Sequence, residues 1–136
     1  MKHQTMLKML SIAVVAVSLI AVLPPPAGAH HRPQSHCSES GDICQSVVKV
    51  NGVRKLRITT SARFFGRYVL CVRGPLDYDS CRHFRMAKRS DGDFADAVRF
   101  GRHFGDRPGR YTVTWYRVPK YGPPKKRIGV RLGFHV

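Results

Sequence analysis

Apolar and polar residues alternate one for one along much of this chain, and this period of two constrains its fold more than any other feature. The clearest runs are "RYTVTWY", residues 110–116, and "RIGVRLGFHV", residues 127–136. Successive side chains of a β-strand point to opposite faces, so such alternation is typical of antiparallel strands with one buried face. The two runs therefore predict half-buried strands. Their inward positions give the predicted core residues Tyr111, Val113, Trp115 and Phe134.

Five weaker runs of the same kind precede these two. They cover residues 46–50, 53–62, 67–73, 82–88 and 96–104. Between the runs lie short segments such as "NG" at residue 51, "SDGD" at residue 90 and "DRPG" at residue 106, which are typical of tight turns. About seven short strands without a convincing amphipathic helix predict an all-β fold, an antiparallel β-sandwich.

The first 29 residues have the pattern of a secretory signal peptide. Two lysines precede an uncharged apolar run, Met9 to Leu23, and three prolines and "AGA" follow it. The run of about 15 residues is short for a bilayer core of roughly 30 Å, which makes an uncleaved membrane anchor the weaker alternative. We predict cleavage after Ala29, no membrane span in the mature chain, and a secreted or envelope-associated protein. The remainder divides into an N-terminal segment, 30–45, and a sandwich domain, 46–136.

Four cysteines in an exported chain predict disulfide bonds. Cys37 and Cys44 flank the turn-like "SESGDI", and Cys71 and Cys81 flank "VRGPLDYDS". Of the three possible connectivities, these spacings favour the local one, Cys37 with Cys44 and Cys71 with Cys81. Zinc is the competing use of four cysteines, but the gaps are far from the paired two-residue spacing of zinc ribbons.

The segment "GDRPGRYTVTW" resembles the corner that leads into strand F of immunoglobulin-like domains. Asp106, Gly109 and Tyr111 stand in the order of that corner, with one residue inserted. The resemblance implies an immunoglobulin-like sandwich. Val113 stands where an antibody domain has its second core cysteine, so the inter-sheet disulfide of that family is absent. The resemblance indicates a fold and implies no activity.

A second resemblance concerns copper. The stretch "PGRYTVTWYRV" followed by "GFHV" is similar to the end of CopC-like periplasmic copper carriers, small sandwiches whose mature chain begins with His. Cleavage after Ala29 would leave His30 and His31 first, and an amine with imidazole nitrogens suits Cu(II). The Asp-Gly-His segment of those proteins is missing from residues 119–127, and alternation places His135 on an outer face. Copper binding through His30 and His31 is therefore the alternative function, with copper as the alternative cofactor.

Catalysis has little support in the sequence. General acid–base chemistry needs paired groups in a cleft, whereas most acidic residues fall in predicted turns. The segment Asp91-Gly92-Asp93 lacks the further acidic ligands of a calcium loop, and no nucleophile stands in a motif with a base. We predict a protein that is not an enzyme and has no cofactor.

Charge is the remaining signal. The chain has 24 Lys and Arg against 8 Asp and Glu, a net charge of +16, and +14 remains once Lys2 and Lys8 are removed with the leader. Such an excess predicts binding to anionic polymers through counterion release, the alternative being a charged, soluble surface. The candidate anion-binding residues are Lys55 and Arg57, which share a strand face, and the basic residues of the final hairpin, Lys120, Lys125, Lys126 and Arg127.

Aromatic residues are only slightly interleaved with these cations, so sequence-specific nucleic-acid recognition is not predicted. We therefore expect a secreted, non-catalytic binding or structural module that associates with anionic polymers or surfaces of the cell envelope. The sequence leaves its ligand and its oligomeric state open.

Overall fold

The computed structural model describes residues 33–119 and 126–136. The predicted leader, His30, His31, Lys120 and Lys125 lie outside the described residues. The described residues form nine strands and one short helix. These are β1 (Ser35–Cys37), β2 (Ile43–Val50), β3 (Val53–Thr60), β4 (Arg67–Arg73), β5 (Asp79–Arg85), β6 (Ala87–Lys88), β7 (Phe94–Arg99), α1 (Phe100–Phe104), β8 (Arg110–Arg117) and β9 (Lys126–His135).

The strands form two antiparallel sheets. The five-stranded sheet has the order β1-β2-β3-β7-β6, and the four-stranded sheet has the order β5-β4-β8-β9. Side chains from both sheets meet in one hydrophobic core, so the predicted all-β antiparallel sandwich is confirmed. There are more strands than the seven expected, because β1 and β6 have only three and two residues and leave no alternating pattern.

Alternation decides which side chains enter the core. In β3, Leu56 and Ile58 point inward and are 0 % exposed, while Arg57 between them is exposed. The four-stranded sheet contributes the larger share of the core, including Tyr68 and Leu70 of β4. All four residues that alternation assigned to the core are buried, namely Tyr111, Val113, Trp115 and Phe134.

Two predicted strands are wrong in part. Residues 82–88 are not one strand, because β5 ends at Arg85 in one sheet and β6 begins at Ala87 in the other. Residues 96–104 form a strand only as far as Arg99, and α1 follows. Phe100 and Phe104 are both buried, and residues four apart share a helix face. The helix ends at Gly105, whose φ of 82° suits glycine.

Both predicted disulfides are present. Each joins residues that are directly opposite on antiparallel strands: Cys37 on β1 with Cys44 on β2, and Cys71 on β4 with Cys81 on β5. No cysteine thiolate is therefore left for zinc. Each bond ties an edge strand to its neighbour. β1 and all of β2 belong to the five-stranded sheet, and residue 46, the predicted start of the sandwich domain, lies within β2.

Two polar contacts, one buried and one partly buried, connect the sheets. Tyr68 of β4 donates a hydrogen bond from Oη to Oδ2 of Asp96 on β7, at 2.7 Å. Burial, together with the adjacent carboxylate, raises the pKa of Tyr68. Gln45 of β2 donates from Nε2 to the carbonyl oxygen of Ile128 on β9, at 2.9 Å. These bonds hold β4 and β9 in place against the opposite sheet.

Candidate anion-binding site

One end of the four-stranded sheet has a cationic residue on every strand. Arg67, the first residue of β4, is directly opposite Arg85, the last residue of β5. Arg117, the last residue of β8, is directly opposite Lys126, the first residue of β9. The amide of Val118 lies 3.5 Å from the carbonyl oxygen of Arg67, which brings the end of β8 beside the start of β4. The fold thus gathers four separate strand ends into one basic edge.

Three of these residues line a cleft with a volume of about 690 Å³. Arg67, Arg85 and Arg117 are joined there by Arg63 of the β3–β4 loop. The remaining lining residues are Phe64, Phe65, Gly66, Val118 and Pro119. Four arginines and no acidic residue therefore lie among the described residues of this cleft, which we call the arginine cleft.

The β3–β4 loop is anchored on both sides of Arg63. Before it, the Ser61 amide donates to the carbonyl oxygen of Asp42 at 2.9 Å, and the Ser61 hydroxyl donates to the Asp42 carboxylate at 2.7 Å. Hydrogen bonds with the hydroxyl groups of Ser61 and then Ser40 lower the pKa of Asp42. After it, Phe65 is 8 % exposed and packs in the core, whereas Phe64 is 46 % exposed and borders the cleft. The loop therefore presents Arg63 and one aromatic ring from a fixed backbone.

The cleft arginines have no acidic partner in the described part of the chain. The ion pairs found there are Arg73 with Asp79, at 3.1 Å, and Arg89 with Asp91, at 3.6 Å, and none of these four residues lines the cleft. Like charges directly opposite each other on neighbouring strands are destabilising. A bound anion would relieve the repulsion at the Arg67–Arg85 pair, so the arrangement favours an anionic ligand.

Arginine also determines which anions fit. Its planar guanidinium offers a rigid fork of donors that matches the oxygens of phosphate and carboxylate groups in pairs. Several forks around one cleft can therefore hold a group with multiple anionic oxygens. The volume falls within the range of roughly 300–1,000 Å³ that is usual for ligand sites.

Backbone geometry fixes the neighbouring cations of β9. Lys126 and Arg127 are both exposed and lie opposite Arg117 and Tyr116. The hydrogen bond of Gln45 to Ile128 holds this part of the strand. Gly129 has a φ of 58° and lies against the side-chain amide of Gln45. A Cβ at position 129 would collide with that amide oxygen. Lys126 and Arg127 thus extend the basic edge beyond the cleft.

The anion-binding residues expected from the sequence do not form one site. Lys126 and Arg127 lie next to the arginine cleft. Lys55 and Arg57 lie on the outer face of the five-stranded sheet, on the other side of the core. Lys120 and Lys125 lie outside the described residues. The four cleft arginines were not among the predicted anion-binding residues. The available signal was that Arg67 and Arg117 fall at or next to the ends of predicted strands.

The residues proposed for copper have no described site. His30 and His31 lie outside the described residues, and His135 is exposed with the cationic Arg110 directly opposite. Within residues 33–119 and 126–136, no group of three or more His, Cys, Asp or Glu side chains is placed to hold a metal ion. In the same part of the chain, no helix has the length and apolar character needed to cross a bilayer.

Comparison with known proteins adds no family to this description. No protein-family model matches the chain, and neither the curated proteins nor the solved structures contain a significant match.

Proposed function

We propose that this protein is a non-catalytic binding module that holds anionic polymers or surfaces through the arginine cleft. The observation that carries the proposal is the convergence of four arginines on one cleft where, among the described residues, no carboxylate neutralises them: Arg63, Arg67, Arg85 and Arg117. A recess lined by charges of one sign focuses the electrostatic potential and concentrates counter-ions. A polyanion entering it replaces many bound small ions, which favours association by counterion release.

The chemistry of the cleft favours repeated phosphate, sulfate or carboxylate groups. One charged unit would occupy the cleft between the guanidinium groups, and the following units would run over Lys126 and Arg127 along β9. Exposed Phe64 offers a flat apolar surface for a sugar or a base beside the charged group. Contacts of this kind recognise the spacing of the anionic groups of a polymer more than the sequence of its units.

We further propose that the module works outside the cytoplasm. Two disulfides are typical of proteins folded in an oxidising compartment, and the N-terminal segment has the signal-peptide pattern described above. The anionic polymers available there are wall polymers, lipid headgroups, polysaccharides and released DNA.

We further infer that the sandwich is immunoglobulin-like. The strand orders β2-β3-β7-β6 and β5-β4-β8-β9 correspond to strands A-B-E-D and C′-C-F-G of that fold. Tyr111 at the start of β8 donates from Oη to the carbonyl oxygen of Arg107, at 2.9 Å, which is the geometry of a tyrosine corner. In this assignment β1 is an additional edge strand, and both disulfides lie within sheets.

The test is the salt dependence of binding to polyphosphate. Replacing Arg67, Arg85 and Arg117 with Gln removes three cations from the cleft. The matched control replaces Arg82, Arg102 and Arg107, which are exposed and do not line the cleft. Each lost phosphate contact should lower the slope of log affinity against log salt by about 0.7–0.9. We expect a reduction of about two for the cleft variant and less than one for the control. Equal reductions in both variants would overturn the proposal.

A further inference from the structure

A second cationic cluster lies on the opposite side of the molecule. Lys55 of β3 is directly opposite Arg99 of β7, and Arg57 lies two residues further along β3 on the same outer face. Arg57 and Arg99 are exposed, and Lys55 is half-buried. We call these three residues the sheet-face cluster. It repeats the feature of the arginine cleft, because two cations occupy directly opposed positions.

The residues around the sheet-face cluster do not neutralise it. Val48 is opposite Lys55 on the β2 side, and Arg57 has Ser46 and Ala97 as its neighbours on the two adjoining strands. Neither ion pair in the described part of the chain involves a residue of the cluster. Like charges that face each other, with no carboxylate of the described residues paired to them, again destabilise the free protein and favour an anionic partner.

The two basic regions are far enough apart to act independently. The arginine cleft lies where β3 ends and β4 begins, because Arg63 belongs to the loop between them. Lys55 and Arg57 are five and three residues before the end of β3, which at about 3.3 Å per residue corresponds to roughly 16 Å and roughly 10 Å along the strand. The packed sheets add about 10 Å in the perpendicular direction. Screening at physiological ionic strength acts over about 8 Å.

We infer that one molecule binds two polyanion chains at once, one in the arginine cleft and one across the sheet-face cluster, and so cross-links them. The inference rests on the proposed function for the first chain and adds a second, separate site for the other. A single polymer segment lying straight in the cleft does not reach the cluster, because the core of the sandwich stands between them. Cross-linking therefore requires no self-association of the protein.

The experiment separates binding from bridging. Long-chain polyphosphate is prepared in two batches, one end-labelled with a fluorescence donor and the other with an acceptor, and energy transfer is measured as protein is added. Affinity for a short polyphosphate is measured in parallel. The test variant carries Gln at positions 55, 57 and 99. The control is the variant at Arg82, Arg102 and Arg107, which loses the same net charge.

We expect wild-type protein and the control to give strong energy transfer that falls again in protein excess, when each chain is saturated separately. The sheet-face variant should lose about tenfold in energy transfer and less than threefold in affinity for short polyphosphate. Energy transfer equal to that of the control would overturn the second site. Sedimentation showing that the free protein is dimeric would overturn bridging by one molecule.

The two proposals fail in different ways. If wild-type protein does not bind short polyphosphate, the proposed function itself is wrong. If it binds short polyphosphate but produces no energy transfer between long chains, the cleft stands and only the bridging inference is overturned. If the triple variant has a lower melting temperature than the control, a double variant at Arg57 and Arg99 that keeps Lys55 takes its place in the energy-transfer measurement.

Discussion

The arrangement of the cationic residues in the arginine cleft lowers the stability of the protein without a ligand. Arg67 and Arg85 are directly opposite on neighbouring strands, and both are exposed. Repulsion between such residues lowers the free energy of unfolding, and their exposed side chains add no packing in the core. Arg117 and Lys126 repeat this arrangement on β8 and β9, and the proposed anionic ligand would offset the repulsion in both pairs.

Arg85→Gln should therefore make the protein more stable and a weaker binder. We expect an increase of about 0.2–1 kcal/mol in the free energy of unfolding at low salt, which shrinks as salt screens the repulsion. Urea unfolding at two salt concentrations measures it. Arg82→Gln is the control, because Arg82 lies opposite Leu70 and has no cation across from it. A stabilisation that is the same for both variants would contradict this explanation.

Tyr68 predicts how stability depends on pH. Burial, followed by the charge of Asp96 and the hydrogen bond to it, raises the pKa of the phenol. The unfolded chain has the ordinary value of about 10, so the contribution of this group is complete below pH 10 and is lost progressively above it. Tyr68→Phe should cost about 1–3 kcal/mol at neutral pH, because the half-buried Asp96 loses its donor. That difference should narrow above pH 10 in urea unfolding; a difference that is constant with pH would rule out this role of Tyr68.

The strands show what the sequence can and cannot predict. Alternation identified most strands and their inward residues because burial of one sheet face acts on every second residue. In residues 96–104 it failed because Arg102 stands where a strand would need an apolar residue, whereas Phe100 and Phe104 fit one turn of helix. The split at Met86 was missed because a crossing between sheets depends on contacts far apart in sequence.

The arginine cleft was harder to predict than the strands, because it too depends on contacts between residues far apart in sequence. Alternation assigns a face to each residue of a strand, but the arginine cleft depends on which strands are neighbours. Arg67, Arg85 and Arg117 come from β4, β5 and β8, and only the order β5-β4-β8-β9 brings their ends together. Long-range pairing of this kind leaves no local pattern from which these arginines could be grouped.

Two hairpins of the chain offer a direct comparison of turn sequences. Asn51 and Gly52, between β2 and β3, have φ values of 48° and 77°, and Asn-Gly is the preferred pair for such turns. Leu76 and Asp77, between β4 and β5, both have a φ of 55°. Leucine in this left-handed region costs about 1–2 kcal/mol, and Leu76 is 87 % exposed and contributes nothing to the core.

Replacing Leu76 by Asn together with Asp77 by Gly should stabilise the protein by about 1 kcal/mol, because the strain is removed without loss of buried surface. The urea midpoint of unfolding measures this change. The reverse exchange, Asn51→Leu with Gly52→Asp, is the matched control and should destabilise by a similar amount. An unchanged midpoint in the first variant would show that Leu76 is not strained.

The whole molecule is a small sandwich whose core separates two basic surfaces. Disulfides fasten the outer strands β1 and β5 to their neighbours, and Tyr68 and Gln45 connect the sheets internally. The acidic residues Asp79 and Asp91 pair with arginines outside the cleft. Part of the excess of Lys and Arg lies where strand ends and one sheet face place cations together, and these are the positions at which the proposed function expects polyanions to bind.

The most direct measurement is a titration of isotope-labelled protein with pyrophosphate, followed by NMR through the side-chain Nε–H signals of the arginines. A small divalent or trivalent anion reports the preferred site without the avidity of a polymer. We predict that the signals of Arg63, Arg67, Arg85 and Arg117 shift together with one dissociation constant, while those of Arg82, Arg102 and Arg107 move little. Shifts spread evenly over all these arginines would contradict a defined anion-binding cleft.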